Sequence, residues 1–121
     1  MLAIIGGTGL YQIEGFKLLG EEMVATPFGE ISAPIMRAEY HNQPILFLPR
    51  HGKNHRYLPS EINYRANIFA LKKLGARQIL GFSAVGSLSE HIHPGDFVLP
   101  NQYLDMVKGE RARTFFGGGL V

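Results

Sequence analysis

The sequence predicts an α/β protein, and three observations predict it. An apolar run, Pro44-Ile45-Leu46-Phe47-Leu48, leads to a helical stripe and then to a second strand-like run over 77–82, the strand–helix–strand order of that class. Short apolar runs, the first at Leu2–Ile5, end abruptly in loops built from glycine, serine or basic residues. Of the 121 residues 45% are hydrophobic, which is ordinary for a single globular domain and enough for a real core.

Composition narrows the function. There is no cysteine, so no disulfide framework exists and a reducing cytoplasm is the expected location. The net charge is only +2, with acids spread along the chain, which gives a nucleic-acid role little electrostatic support. No apolar run reaches membrane-spanning length. Met1-Leu2-Ala3-Ile4-Ile5 lacks a basic leader and a small-residue cleavage site, so it reads as a strand and not as a signal peptide.

Leu2–Ile5 is followed at once by Gly6-Gly7-Thr8-Gly9-Leu10. Glycines there permit positive φ and let backbone N–H groups approach an anion, and Thr8 adds a hydroxyl. A dinucleotide-binding turn would need Gly-x-Gly-x-x-Gly opening a helix, but Gln12 stands where the third glycine would be counted from Gly7. Strands are expected at Glu22–Ala25, Ala33–Arg37 and Ile45–Leu48, separated by Thr26-Pro27-Phe28-Gly29 and by a turn at His41-Asn42.

Pro49-Arg50-His51-Gly52-Lys53-Asn54-His55-Arg56 follows the apolar run ending at Leu48. It gathers three cations and two imidazoles in one loop, with Gly52 allowing a tight turn. Such a loop is either a solvated turn or a seat for a doubly charged oxyanion, which Arg grips with a planar fork and His with a further donor. Two more loops suited to anions, 6–10 and 83–88, favour the second reading, with Arg50 and His51 as the grip. His51 and His55 would share a metal only on a helix, which Gly52 argues against; His91 and His93 lack an obvious third ligand, so no metal is expected.

Ser60 is the expected N-cap of a helix, with Pro59 marking its boundary. Ile62, Ala66, Phe69, Ala70 and Leu74 form its apolar stripe, Gly75 its C′ position, and Lys72 with Lys73 suit the negative end of its dipole. Asn63, Tyr64, Arg65 and Asn67 are expected to be exposed or at a subunit contact. Arg77–Phe82 is the next strand, running into Ser83-Ala84-Val85-Gly86-Ser87-Leu88, where small residues allow close backbone approach and serines bring hydroxyls. Pro94-Gly95-Asp96 reads as a turn and Phe97–Pro100 as a final strand.

The ordered set of these segments resembles the trimeric purine nucleoside phosphorylase family, in its methylthioadenosine and methylthioinosine phosphorylase branch. The resemblance is carried by Gly6-Gly7-Thr8-Gly9-Leu10, by Arg50-His51-Gly52 with His55, and by Asn63-Tyr64-Arg65-Ala66-Asn67-Ile68. Ser83 to Leu88, Pro94-Gly95-Asp96 and Gln102 to Asp105 continue it in the same order, and it extends collinearly to about Phe116. The wording around His55-Arg56 and 63–67 resembles the methylthioinosine enzymes somewhat more. One departure is Val107, where relatives usually carry threonine two residues after the aspartate.

The resemblance implies an α/β fold with a central mixed β-sheet flanked by helices, the nucleoside phosphorylase fold. Residues 1–121 would be the amino-terminal part of one such domain, incomplete at its C-terminal side. It implies phosphate binding by Thr8, Arg50, His51, Ser83 and the backbone N–H of Ala84. Inorganic phosphate would be co-substrate and nucleophile, without a metal or organic cofactor, in a cytoplasmic homotrimer that acts on a small nucleoside and engages neither nucleic acid nor membrane. The group protonating the purine, a further phosphate-site threonine and the ribose contacts would lie beyond Val121. The implied reaction is reversible phosphorolysis of a 5′-methylthio-purine nucleoside, S-methyl-5′-thioinosine ahead of 5′-methylthioadenosine. The rival readings are a dinucleotide-binding module and a catalytically incomplete chain that only assembles with partners.

Overall fold

In the computed structural model, which describes residues 1–7, 14–109 and 114–117, the strands are β1 (Leu2–Gly6), β2 (Phe16–Glu22), β3 (Ile35–Tyr40), β4 (Gln43–Pro49) and β5 (Gln78–Gly81). A short 3-10 turn, Lys53–His55, and one helix, α1 (Tyr64–Lys73), lie between β4 and β5. The strands form one mixed sheet in the order β2-β3-β4-β1-β5. β1 runs parallel to both β4 and β5, whereas β2, β3 and β4 form an antiparallel meander. This is the α/β architecture that the sequence predicts, with the mixed sheet that the family resemblance implies.

β4 is central because its residues are apolar on both sides. Leu46 and Leu48 pack with Ala66, Ala70 and Leu71 of α1, with Ala3 of β1 and Ile35 of β3, and with Val24 and Ile31 of the intervening loop. Ile45 and Phe47, of opposite parity, are buried as well. Burying each large aliphatic side chain in this cluster contributes roughly 1.5–3 kcal/mol.

The β3–β4 hairpin turns through His41 and Asn42, with φ of 46° and 62°. Tyr40 pairs with Gln43 directly across this two-residue turn, a type I′ geometry that matches the right-handed strand twist and that Asn tolerates well. The turn expected from His41-Asn42 is therefore present.

The helix is capped at both ends. At its C-terminus Gly75 takes φ 92°, its N–H donates to Lys72 O, and Ala76 N–H donates to Leu71 O, each at 3.0 Å. This is the paired Schellman arrangement, and Gly75 is the C′ residue the sequence predicts. The N-cap differs from expectation. It is Asn63, whose Oδ1 accepts from Ala66 N–H at 3.1 Å, and Ser60 lies in the turn that precedes the helix.

Two strands also depart from expectation. The strand expected at Glu22–Ala25 lies earlier, at Phe16–Glu22, because its register shifts between Leu18 and Gly20 and breaks the alternation that would have marked it. Phe97–Pro100 is not a strand: Phe97 and Leu99 are 90% and 89% exposed, and no neighbouring strand is there to pair with them among the described residues. The turn at 93–96 does form, with His93 N–H donating to Asp96 Oδ2 at 2.7 Å.

Candidate functional site

The parallel register sets the ends of three strands side by side. Gly6 of β1 is level with Pro49 of β4, and Ile5 of β1 is level with Gly81 of β5. The chain leaving each neighbour bonds back to the central strand: Arg50 N–H donates to Gly6 O at 3.1 Å and Phe82 N–H to Ile5 O at 2.8 Å. Three loops therefore open from the carboxyl ends of adjacent parallel strands, the usual place for a ligand crevice in an open α/β sheet. Gly7 begins the middle loop, Arg50 and His51 one flank, and Ser83 and Ala84 the other.

β4 and β5 stand two strand spacings apart, roughly 10 Å, with β1 between them. Arg50 spans that gap, its Nη1 donating to Phe82 O at 2.6 Å. A guanidinium carries five N–H donors in a fixed plane. Anchoring one of them on a backbone carbonyl orients the others, and Arg50 is half-buried, so its charge is only partly screened. The chemistry this supports is recognition of a planar or tetrahedral oxyanion above the strand ends, with Ser83 supplying a hydroxyl and Ala84 an N–H from the same short segment.

His51 is half-buried, and its Nδ1 lies 3.0 Å from Tyr57 O. Its ring stacks on that of His55, with centroids 5.5 Å apart and planes at 21°. Gly52, between Arg50-His51 and the 3-10 turn, is buried with φ 75°. A Cβ there would sit 3.1 Å from Ser32 O and 3.1 Å from the Tyr57 ring, so only glycine fits.

The sequence reading brought Arg50, His51, Ser83 and Ala84 to one end of the sheet, and the structure places all four there. Thr8 lies outside the described residues. The reading missed Asn67, expected to be exposed or at a subunit contact but 1% exposed. Its Oδ1 accepts from Ser32 N–H and its Nδ2 donates to Ser32 Oγ, both at 2.9 Å. Asn63 Nδ2 donates to Phe28 O at 2.7 Å, so two asparagines one turn apart fasten the 26–33 loop to α1. Spacing could have revealed this, since position 67 lies three and four residues before the apolar Ala70 and Leu71. Among the described residues no three His, Asp or Glu side chains come together as a metal site would need, and no helix is long and apolar enough to cross a membrane.

The family model of the phosphorylase superfamily matches residues 1–119. The chain is 47% identical over 121 residues to an S-methyl-5′-thioadenosine phosphorylase of Geobacter sulfurreducens, covering 100% of this chain and 42% of the relative. It is 52% identical over 120 residues to the enzyme of that name from Sclerotinia sclerotiorum, covering 99% of this chain and 39% of the relative. Among solved structures, a methylthioadenosine phosphorylase sourced from an Antarctic soil metagenomic library superposes with a TM-score of 0.89 at 50% identity, over 98% of this chain and 41% of that one. The methylthioadenosine phosphorylase of Schistosoma mansoni in complex with adenine gives a TM-score of 0.87 at 46% identity, over 98% and 42%. The chain thus spans about two fifths of the length of the relatives it matches.

Proposed function

Because the chain belongs to the phosphorylase superfamily, we propose that its protein catalyses phosphorolysis of a 5′-methylthio-purine nucleoside and that residues 1–121 carry the phosphate cradle. They would form the amino-terminal part of one nucleoside phosphorylase domain. The observation that carries the reading is the Arg50 bridge to Phe82 O across β1, which ties two of the three strand-end loops together and aims a cation over them. Inorganic phosphate would lie between Arg50, the His51 corner, Ser83 Oγ and Ala84 N–H, with Thr8 contributing from the middle loop.

In the proposed reaction a phosphate oxygen attacks the anomeric carbon as the bond to the purine nitrogen breaks. The base leaves with the bonding electrons and takes up a proton, giving free purine and 5-methylthioribose 1-phosphate. Positive charge develops on the ribose in the transition state, so a phosphate held in line supplies both nucleophile and compensating charge. Arg50 stops the anion drifting, and the flanking hydroxyl and N–H groups orient it. No side chain of this chain acts as the nucleophile, and the reading calls on no metal or organic cofactor.

The relatives at 47% and 52% identity are both named for 5′-methylthioadenosine, which supports that nucleoside as the first to assay. The preference for S-methyl-5′-thioinosine, drawn from His55-Arg56 and 63–67, is the finer part of the proposal, and paired assays on the two nucleosides decide it. The homotrimer and the cytoplasmic location are likewise parts of the proposal that rest on the family resemblance. Light scattering after gel filtration tests the first.

A second reading is a chain that assembles with partners and does not turn over alone. It is favoured by the apolar surface past β5, where Val85, Phe97, Leu99 and Leu104 are 83%, 90%, 89% and 87% exposed. Assay of the complete enzyme with either nucleoside and phosphate separates the two, since both readings expect little or no turnover from residues 1–121 alone. Turnover supports the first reading; phosphate binding without turnover supports the second; saturable NAD(P) binding without phosphate binding contradicts both and favours a dinucleotide module.

A further inference from the structure

The loop after β4 is closed twice by one pair of residues. Tyr57 N–H donates to His51 O at 3.0 Å, and His51 Nδ1 lies 3.0 Å from Tyr57 O. A backbone carbonyl has no proton to offer, so the second contact is a hydrogen bond only if Nδ1 carries the hydrogen. A neutral imidazole has one N–H, so in this tautomer Nε2 is a bare lone pair. Apart from its one O–H, phosphate dianion presents acceptors, and a neutral His51 ring held this way has no proton to give them.

The same loop is under conformational load. Asn54 and His55 take φ of 60° and 53°, in the left-handed region that disfavours side chains. Such residues persist only where their surroundings over-determine them. Here the surroundings are the double His51–Tyr57 clasp, the His51–His55 ring stack, and Gly52 wedged against Ser32 O and the Tyr57 ring. Ser32 is in turn fixed by buried Asn67. Arg50 is the next residue upstream of the clasp, and its Nη1 is held on Phe82 O.

We infer that His51 is a positioning residue whose ring acts through Nδ1–H on the Tyr57 carbonyl, shutting the 51–57 loop and aiming Arg50, and that it is not a ring donor to phosphate. The inference rests on the phosphate reading above. It separates two roles that position alone would merge.

Two amide substitutions distinguish them. His51→Asn puts a side-chain N–H near the place of Nδ1, whereas His51→Gln puts one near the place of Nε2. Phosphate affinity of the 121-residue chain is measured by ³¹P NMR titration at about pH 8, where imidazoles are ordinarily neutral. The expected result is that His51→Asn binds within about threefold of the unsubstituted chain and His51→Gln binds about tenfold or more weakly, the size of one lost hydrogen bond. The opposite order overturns the inference and leaves the phosphate site standing. The ¹⁵N spectrum of the unsubstituted chain gives a second reading that needs no folded variant: a neutral His51 ring protonated at Nδ1 supports the inference, and one protonated at Nε2 overturns it. If the unsubstituted chain binds no phosphate, the site reading fails, and the role assigned to His51 in aiming Arg50 at phosphate fails with it.

Discussion

Arg50 Nη1 donates to the carbonyl oxygen of Phe82 at 2.6 Å, across the full width of an intervening strand. Because Phe82 immediately precedes Ser83, the guanidinium sets the distance between a cation on one loop and a hydroxyl and N–H on the other. A lysine cannot reproduce this, since its three donors radiate from one nitrogen and have no fixed plane.

In the complete enzyme Arg50→Ala is expected to raise the phosphate KM and lower kcat/KM by something on the order of a hundredfold, as loss of a strong oxyanion contact does. Arg50→Lys should recover little of it. Initial rates at varied phosphate check this, and an unchanged phosphate dependence in the alanine variant would contradict the role given to Arg50.

Gly52→Ala is expected to destabilise the folded chain by about 1–3 kcal/mol, since it forces a side chain into the left-handed region and against backbone. Its Cβ would meet Ser32 O at 3.1 Å, an atom that cannot swing away as a side chain would. Urea unfolding followed by circular dichroism measures the loss, and an equally stable alanine variant would show that the 51–57 loop relaxes freely.

The helix start gives a paired test. Asn63→Ala removes the acceptor for Ala66 N–H and the donor to Phe28 O, and should cost about 1–2 kcal/mol. Ser60→Ala should stay within about 0.5 kcal/mol, because Ser60 is exposed and caps nothing. Unfolding midpoints for the two variants should separate clearly, and equal losses would return Ser60 to the capping role.

Asn67→Leu keeps roughly the volume of the buried side chain and removes both its bonds to Ser32. Leaving the Ser32 N–H without a partner should cost about 1–3 kcal/mol. Amide exchange at Ser32 reads the effect directly, and protection at the level of the unsubstituted chain would contradict it.

The sequence carried the parts of this fold that depend on local chemistry. Glycine at the C′ position, the His41-Asn42 turn and the apolar run through β4 each follow from what a residue can do by itself. It also carried the set of strand-end loops, since residues able to hold an anion cluster where apolar runs stop. What it hid depends on partners distant in the chain. Ser60 and Asn63 are both competent caps; Asn63 takes the role by accepting from Ala66 N–H, and it also reaches Phe28 O, 35 residues away. Asn67 is polar by type, yet its position on the helix places it inside. Phe97–Pro100 has the composition of a strand, but a strand needs a neighbour to bond to. The register shift in β2 erased the period by which that strand would have been recognised.

The most direct test of the account is a phosphate titration of the ¹⁵N-labelled chain, following the backbone amides of Gly7, Arg50, Ser83 and Ala84 together. The account predicts that all four shift along one saturation curve with a single dissociation constant. Shifts confined to one loop, or separate constants for the Arg50 and Ser83 sides, would contradict a common anion site.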